Sequence, residues 1–352
     1  MQHKEYNVIG VMSGTSLDGI DLAYITFKFN ATWQFKITYC ATIAYPESWI
    51  KTLKNLISLP IESIREIDSK YTTYLAQTIN AFIKTNNIKN LDAICSHGHT
   101  ALHKPQEGLT YQIGNLKELA ILTNTKVICD FRVQDVALGG QGAPLVPIGD
   151  QLLFSKYDYC LNLGGFANVS FQENNNRIAF DICPVNIVLN RYANKLGFPF
   201  DDKGNIAKTG RIIKNLMGQL NSLSYYKQKH PKSLGLEWVK KEIIPILSAT
   251  NQNEKNILHT FTEHIAEQIA ANFKAKSTIL VTGGGAYNNY LLERIKSKKE
   301  LNIILPNAEL IEFKEALIFG FLGVLKMREE WNCLASVTGA KNNHSSGKIY
   351  LP

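Results

Sequence analysis

Between Ser13 and Asp21 the chain reads Ser-Gly-Thr-Ser-Leu-Asp-Gly-Ile-Asp. Gly14 and Gly19 bracket hydroxyls and the carboxylate of Asp18, and a further hydroxyl, Ser13, precedes them. Glycines let backbone N–H groups approach a ligand closely, and short hydroxyls add donors, so such a tip suits phosphate oxygens. The plainer alternative is a polar loop between two strands. Two later stretches have similar chemistry. Gly164-Gly165, followed by Asn168, forms a turn that serves either phosphates or a simple hairpin. Gly283-Gly284-Gly285 lies where a strand hands over to a helix, where free N–H groups and missing side chains admit a nucleoside or merely make a tight turn. A P-loop would need Gly-x4-Gly-Lys-Ser/Thr, which is absent, and Gly139-Gly-Gln-Gly142 lacks the third glycine of a dinucleotide fingerprint. His97, His99 and His103 crowd one predicted loop without a further ligand set, so hydrogen-bonding or solvent-facing roles are expected of them.

The elements needed to hold these residues follow from hydrophobic periodicity. Apolar, β-branched runs at 6–12 and 20–27 flank the first tip as a hairpin, and Trp33 to Tyr45 continues the sheet. Residues 61–86 carry Ile64, Tyr71, Ile79 and Phe82 at helical spacing. Strands are predicted at 91–96 and 126–130, with a helix at 115–123 between them. From Tyr157 the order begins again: strands near 158–163, 169–171 and 178–181, then helices at 185–196 and 256–273. Strands at 277–281 and 301–305 and a helix at 313–330 follow, while 197–250, rich in Gly, Lys and Asn, reads as an insertion. The repeated order βββαβαβ(α) predicts an α/β protein of two similar domains. Residues 1–150 form the first, rejoined by the tail 332–352, and 151–331 form the second.

The chain has 352 residues, 45% of them hydrophobic and 19% charged, an ordinary globular composition long enough for two cores. No run of about 18 apolar residues predicts a membrane span, and the first residues lack an apolar signal core, so a cytoplasmic protein is expected. Six scattered cysteines with no Cys-x-x-Cys pair read as buried reduced thiols rather than a zinc site. The formal charge of +8 is diffuse, and its densest part, residues 201–260, holds ten Lys/Arg against five Asp/Glu. That distribution suits small anions and excludes an obvious nucleic-acid motif.

Paired glycine-bearing hairpins on two such domains are the architecture of the actin, hexokinase and heat-shock ATPase superfamily, two ribonuclease H-like domains flanking a nucleotide cleft. Within it, Met12-Ser-Gly-Thr-Ser-Leu-Asp-Gly-Ile-Asp21 resembles the signature of the anhydro-N-acetylmuramic acid kinases. Ser96-His-Gly-His-Thr100, Asp130-Phe-Arg132, Gly139 to Pro147, Leu161 to Asn168, Pro231-Lys-Ser233, Gly283 to Ala286, Glu315-Ala and Val337-Thr-Gly-Ala340 are similar in order along the whole chain. His99 stands where the family has glutamine. Asp181-Ile-Cys-Pro-Val-Asn186 keeps the family's acid, proline and asparagine but has Cys183 in place of a glycine.

The resemblance implies ATP-dependent phosphorylation of 1,6-anhydro-N-acetylmuramic acid at O6 with hydrolytic opening of the anhydro bridge, a step of peptidoglycan recycling. One carboxylate suffices as general base for the water, because phosphorus captures the departing O6. Asp181 matches that base; the competing role is a helix cap. Gly14, Thr15, Ser16, Leu17, Asp18, Gly19, Ile20 and Asp21 would line the ATP phosphates from one side, and Gly164, Gly165 and Asn168 from the other. Gly283, Gly284 and Gly285 would admit adenosine. Asp18 would orient Mg²⁺ or its waters, or else bond its own turn. Thr100, Arg132 and Glu315 are candidate sugar contacts, Arg132 toward the lactyl carboxylate or a phosphate. Their competing roles are a capping threonine, a surface ion pair and a helix-start glutamate.

Two other functions remain open on this scaffold: a kinase of another sugar or carboxylate, and a non-metabolic actin-like ATPase module. The expected partners are small molecules, with no nucleic acid and no membrane, and a homodimer is left open.

Overall fold

The protein is described by a computed structural model over residues 5–14 and 17–352. The expectations attached to Thr15 and Ser16 lie outside the described residues. Three antiparallel strands open the chain: β1 (Glu5–Ser13), β2 (Gly19–Asn30) and β3 (Thr32–Ala44). β1 is buried along most of its length, as a central strand must be, whereas β3 is largely exposed and forms the edge. The helix Ile61–Thr85 buries Ile64, Tyr71, Leu75, Ile79 and Phe82, the face its spacing predicts. It leads to β4 (Ala93–Lys104), which runs parallel to β1. β5 (Leu109–Ile113) pairs back onto β4, and β6 (Val127–Cys129) lies parallel to β4 on its other side. The C-terminal strand Lys348–Tyr350 adds antiparallel to β6. The main order 3-2-1-4-6, with only β2 reversed among these five, is the ribonuclease H-like arrangement.

The second sheet repeats it. β7 (Tyr159–Leu163), β8 (Phe166–Glu173) and β9 (Asn176–Pro184) are antiparallel neighbours. β10 (Thr278–Thr282) is parallel to β7, and β11 (Asn302–Ile304) is parallel to β10. The order 9-8-7-10-11 is that of the first sheet. The helix Glu254–Ala271 lies against it, burying Leu258, Phe261, Ile265 and Ile269.

The chain divides into one unit of residues 1–153 and 313–352 and a second of 154–312. The sequence reading placed 313–331 in the second domain; the structure corrects this. The helix Ala308–Met327 leaves helical geometry at Phe313, and from there its contacts belong to the first unit. Phe321 packs on Phe27 and Trp33, and Phe319 on His97 and Phe131. A methyl group on Gly10 of β1 would strike the Ala316 carbonyl, and one on Gly323 would strike the Cys95 sulfur of β4, so helix and sheet meet at backbone distance. Leu317, Ile318, Phe319, Phe321, Leu322, Val324 and Leu325 are each at most 1% exposed. At about 1.5–3 kcal/mol for each large apolar side chain, that burial decides where the segment goes.

The predicted loop at 97–103 is a second correction: His97, His99 and His103 lie within β4, whose apolar start continues through them as a strand. Strand β5 and the short helices Glu47–Asn55, Val133–Ala137 and Pro147–Leu153 were not anticipated. The insertion at 197–250 contains only short helical pieces, from Asp202–Gly204 to Ile244–Ala249. No helix among the described residues is long and apolar enough to cross a membrane.

Candidate active site

In the second unit, Asn162 on β7, Asn168 on β8 and Asp181 on β9 are directly opposite one another across the sheet, so their side chains share a face. Asp181 lies on β9, five residues before the helix Asn186–Lys195, so it is not that helix's cap. The insertion holds it from three directions. The Leu234 N–H donates to Oδ2 at 2.8 Å, the Tyr225 hydroxyl donates to its carbonyl at 2.6 Å, and its own N–H donates to the Lys232 carbonyl at 3.3 Å. Oδ1 takes no hydrogen bond among the described residues. Burial raises the Asp181 carboxyl above the ordinary carboxylate range, and the Leu234 N–H opposes this. The result is a half-buried, fixed carboxylate of enhanced basicity with one oxygen open. Cys183 sits buried opposite Ala167, and the pairing of β8 with β9 shifts register between that pair and Asn168–Asp181, so a β-bulge at Ile182 sets the direction of Asp181.

Gly164 and Gly165 make the two-residue turn between β7 and β8. Their carbonyls accept N–H groups from Val185, Asn186 and Ile187 at the start of the next helix, at 2.8–3.3 Å. A methyl group on Gly165 would meet nothing closer than 3.9 Å, and Gly284 has nothing within 4 Å. The fold therefore leaves open space beside these two glycines, as close ligand approach requires. The side chain missing from Gly283 or Gly285 has another cause: a Cβ at either would press on Leu163, and Gly283 has φ of 81°. Both glycine turns follow the carboxyl ends of the neighbouring parallel strands β7 and β10, where α/β sheets bind ligands. Asn168 is exposed beside the first.

In the first unit the β1–β2 tip has Leu17 at φ 62°, its N–H toward the Gly14 carbonyl at 3.4 Å. Asp18 is exposed, Ile20 is buried, and the Thr42 hydroxyl donates to Asp21 at 2.6 Å. Gly19 is demanded by packing, because a Cβ there would press on the Ile43 carbonyl. Ser13 turns inward, bonding the Tyr45 hydroxyl at 2.6 Å and His99 Nδ1 at 2.8 Å.

Arg132 stands at the start of the helix Val133–Ala137. Its Nε donates to His97 Nε2 at 2.9 Å and its Nη1 to the Gly142 carbonyl at 2.6 Å. Nη2 has no hydrogen-bond partner among the described residues. Burial lowers the Arg132 pKa to about 10, with Glu315 acting in the opposite sense, so the group stays cationic. Glu315 is accessible, yet protein crowds it enough to raise its carboxyl; Arg132 and Lys314 oppose that shift and Asp21 adds to it. Asp21, Arg132 and Glu315 thus form one electrostatic group. Thr100 is separate in character: half-buried on β4, it accepts a long 3.5 Å bond from Gln112.

His97 and His99 are buried and neutral, held there by desolvation, with His99 down to about 4. His103 bonds Thr110 at 3.0 Å. All three are hydrogen-bonding residues, as expected. Sequence reasoning quoted Leu161 to Asn168 and Pro231-Lys-Ser233 among the ordered motifs but named neither Asn162 nor any residue of the Tyr225–Leu234 segment as part of the site. Asn162 precedes the Gly164-Gly165 turn by two residues, and its place opposite Asn168 was readable from strand alternation alone.

Residues 6–352 match the family model described as anhydro-N-acetylmuramic acid kinase. A protein of that name from Sulfurimonas denitrificans is 33% identical over 367 residues, covering 97% of this chain and 98% of that protein. One from Bacillus thuringiensis subsp. konkukian is 32% identical, covering 98% and 99%. One from Francisella tularensis subsp. novicida is 31% identical, covering 97% of each.

Proposed function

The chain belongs to the anhydro-N-acetylmuramic acid kinase family, and we infer from this that it phosphorylates 1,6-anhydro-N-acetylmuramic acid at O6 with ATP while water opens the anhydro bridge. The products are N-acetylmuramic acid 6-phosphate and ADP, and the reaction serves cell-wall recycling. The observation that supports this chemistry best is Asp181, a fixed carboxylate of raised basicity with Oδ1 open.

Asp181 takes a proton from water as the water oxygen bonds to C1. The C1–O6 bond breaks, O6 bonds to the γ-phosphorus, and the bond from that phosphorus to ADP breaks. No general acid is needed, because phosphorus receives the electrons that a proton would otherwise take. Arg132, braced by His97 and Gly142, offers Nη2 to the lactyl carboxylate or to a phosphate. Glu315 accepts sugar hydroxyls, and Thr100 adds a hydroxyl contact.

For ATP, open space at Gly165 and Gly284 supports roles for the Gly164-Gly165 turn, with Asn168, against phosphates and for the Gly283–Gly285 turn against adenosine. Gly14, Leu17, Asp18, Gly19, Ile20 and Asp21 serve the phosphates from the first unit. Magnesium fits Asp18, an exposed hard oxygen donor on a phosphate-binding turn, since this ion needs only one or two carboxylates beside phosphate and water. When bound it neutralises phosphate charge. Five of the six cysteines are buried thiols, which accords with a reducing cytoplasm, where ATP is available.

Turnover in heavy-oxygen water tests the reaction. With quenching before the anomeric hydroxyl exchanges, label is expected on C1 and none on phosphate. Label on phosphate would mean that water attacks ATP, and the kinase reading would fail.

A further inference from the structure

Asp135 is fully buried, three residues after Arg132, and most of what surrounds it comes from the far end of the chain. Its Oδ2 accepts the Gly142 N–H at 2.7 Å. Its Oδ1 accepts the Thr338 hydroxyl at 2.7 Å and the Cys333 S–H at 3.0 Å, and lies 3.6 Å from His344 Nε2. Asp135, Cys333 and His344 are 0%, 1% and 5% exposed. His344 Nδ1 sits 3.0 Å from the Asn342 carbonyl, which can only accept, so Nδ1 carries a proton. Nε2 has no hydrogen-bond partner and faces the Asp135 carboxylate in the buried interior. An unpartnered imidazole nitrogen at such depth, beside a buried carboxylate whose hydrogen-bond donors are all neutral, is costly and asks for a cation.

The three ligand atoms all lie within 4.8 Å of one another. Bonds of about 2.0–2.3 Å from a tetrahedral zinc ion would set its ligands roughly 3.3–3.7 Å apart, close to the 3.0 and 3.6 Å separations from Asp135 Oδ1. We propose that Asp135 Oδ1, Cys333 Sγ and His344 Nε2 bind one zinc-class divalent ion, with the Thr338 hydroxyl beside its fourth position. Mixed oxygen, sulfur and nitrogen donors select a borderline metal and not the magnesium of phosphoryl transfer. The Cys333 S–H bond breaks as the sulfur–metal bond forms, and its proton leaves to solvent with no redox change.

The site unites Gly139 to Pro147, of which the proposed reaction uses only the Gly142 carbonyl, with Val337 to Ala340, to which it gives no role. A methyl group on Gly140 would overlap the Asp135 carboxylate, and the Gly142 carbonyl accepts Arg132 Nη1. The ion would therefore tie residues 333–344 to the loop that braces Arg132. Residues 135, 333 and 344 carry no local spacing pattern, so only the folded chain reveals the cluster.

The test uses the full chain, stripped of metal by a chelator and titrated with Co²⁺ and then Zn²⁺. We expect a thiolate-to-cobalt charge-transfer band saturating at one ion per chain and bleached by Zn²⁺. Bound Zn²⁺ is expected to raise the melting temperature on the order of 5 °C. Cys333→Ser should lose the band while five cysteines remain, and His344→Gln should weaken Co²⁺ binding at least tenfold. If the wild type gives no band with excess Co²⁺, the cluster is a hydrogen-bonded imidazolium–carboxylate pair only, and the proposal falls. A band that persists in folded Cys333→Ser would place the metal elsewhere and also overturn it. If Cys333→Ser does not fold, full-strength binding in His344→Gln overturns the site by itself.

Discussion

Arg132 Nε donates to His97 Nε2 at 2.9 Å, and His97 Nδ1 lies 2.8 Å from the Gly98 carbonyl. The second contact places the imidazole proton on Nδ1, so the first finds a lone pair on Nε2. His97 must therefore be neutral to brace Arg132, and burial keeps it so, with Arg132 adding to that effect. The guanidinium is aimed by a histidine that cannot titrate near neutral pH.

Arg132→Lys retains the charge and loses the planar fork that His97 and Gly142 orient. We expect the KM for the anhydro sugar to rise on the order of tenfold or more, with a smaller change in kcat. Initial rates with each substrate varied in turn check this. A rise confined to the KM for ATP would assign Arg132 to a phosphate instead.

Asp181→Asn should reduce kcat by about 10²–10⁴-fold with little change in either KM. Stability should move the other way. Burial raises the folded-state pKa of Asp181, so its contribution is present below the unfolded value and is lost as pH rises through the folded value. At pH 7 the charged carboxylate opposes folding, and Asp181→Asn should melt no lower than wild type. The acid limb of kcat/KM should have its midpoint above the ordinary aspartate value of about 3.9. Full activity in the variant would move the base elsewhere.

The glycine turns separate ligand contact from packing. Gly284→Val enters open space and should weaken ATP binding while leaving the melting temperature within about 2 °C. Gly285→Val presses a side chain onto Leu163 and should destabilise by roughly 1–3 kcal/mol, as overpacking does. Calorimetric titration with a non-hydrolysable nucleotide and thermal melts distinguish the two. Unchanged nucleotide affinity in Gly284→Val would remove that turn from the ATP site.

His99 gives the fold an acid sensitivity. Burial lowers its pKa from 6.5 to about 4, so the folded state binds its proton later than the unfolded chain does. Its contribution is present above pH 6.5 and lost as pH falls toward 4, on the order of 3 kcal/mol. Urea unfolding of wild type and His99→Gln at pH 7.5 and 5 should show the difference between them shrinking at the lower pH. A difference independent of pH would mean that His99 is not buried neutral.

Much of this protein was settled by local sequence. Alternating β-branched runs around Ser13–Gly19 and Gly164–Gly165 dictate the two hairpins, and the spacing of Ile64, Tyr71 and Ile79 dictates a helix, because these patterns depend only on which side of an element each residue faces. The repeated order of elements was enough to predict two similar sheets, and the ordered motifs were enough to place the chain in its family. Other features depend on which distant surfaces meet, and no local pattern encodes that. From Phe313 onward the helix Ala308–Met327 joins the first unit because Gly10 and Gly323 let it approach strands hundreds of residues earlier in the chain. Gly283 and Gly285 look alike in sequence to Gly284, yet Leu163 accounts for the first two and not the third. Asp181 is oriented by Leu234 and Tyr225 from the insertion, and Asp135 meets Cys333 and His344 across some two hundred residues of chain.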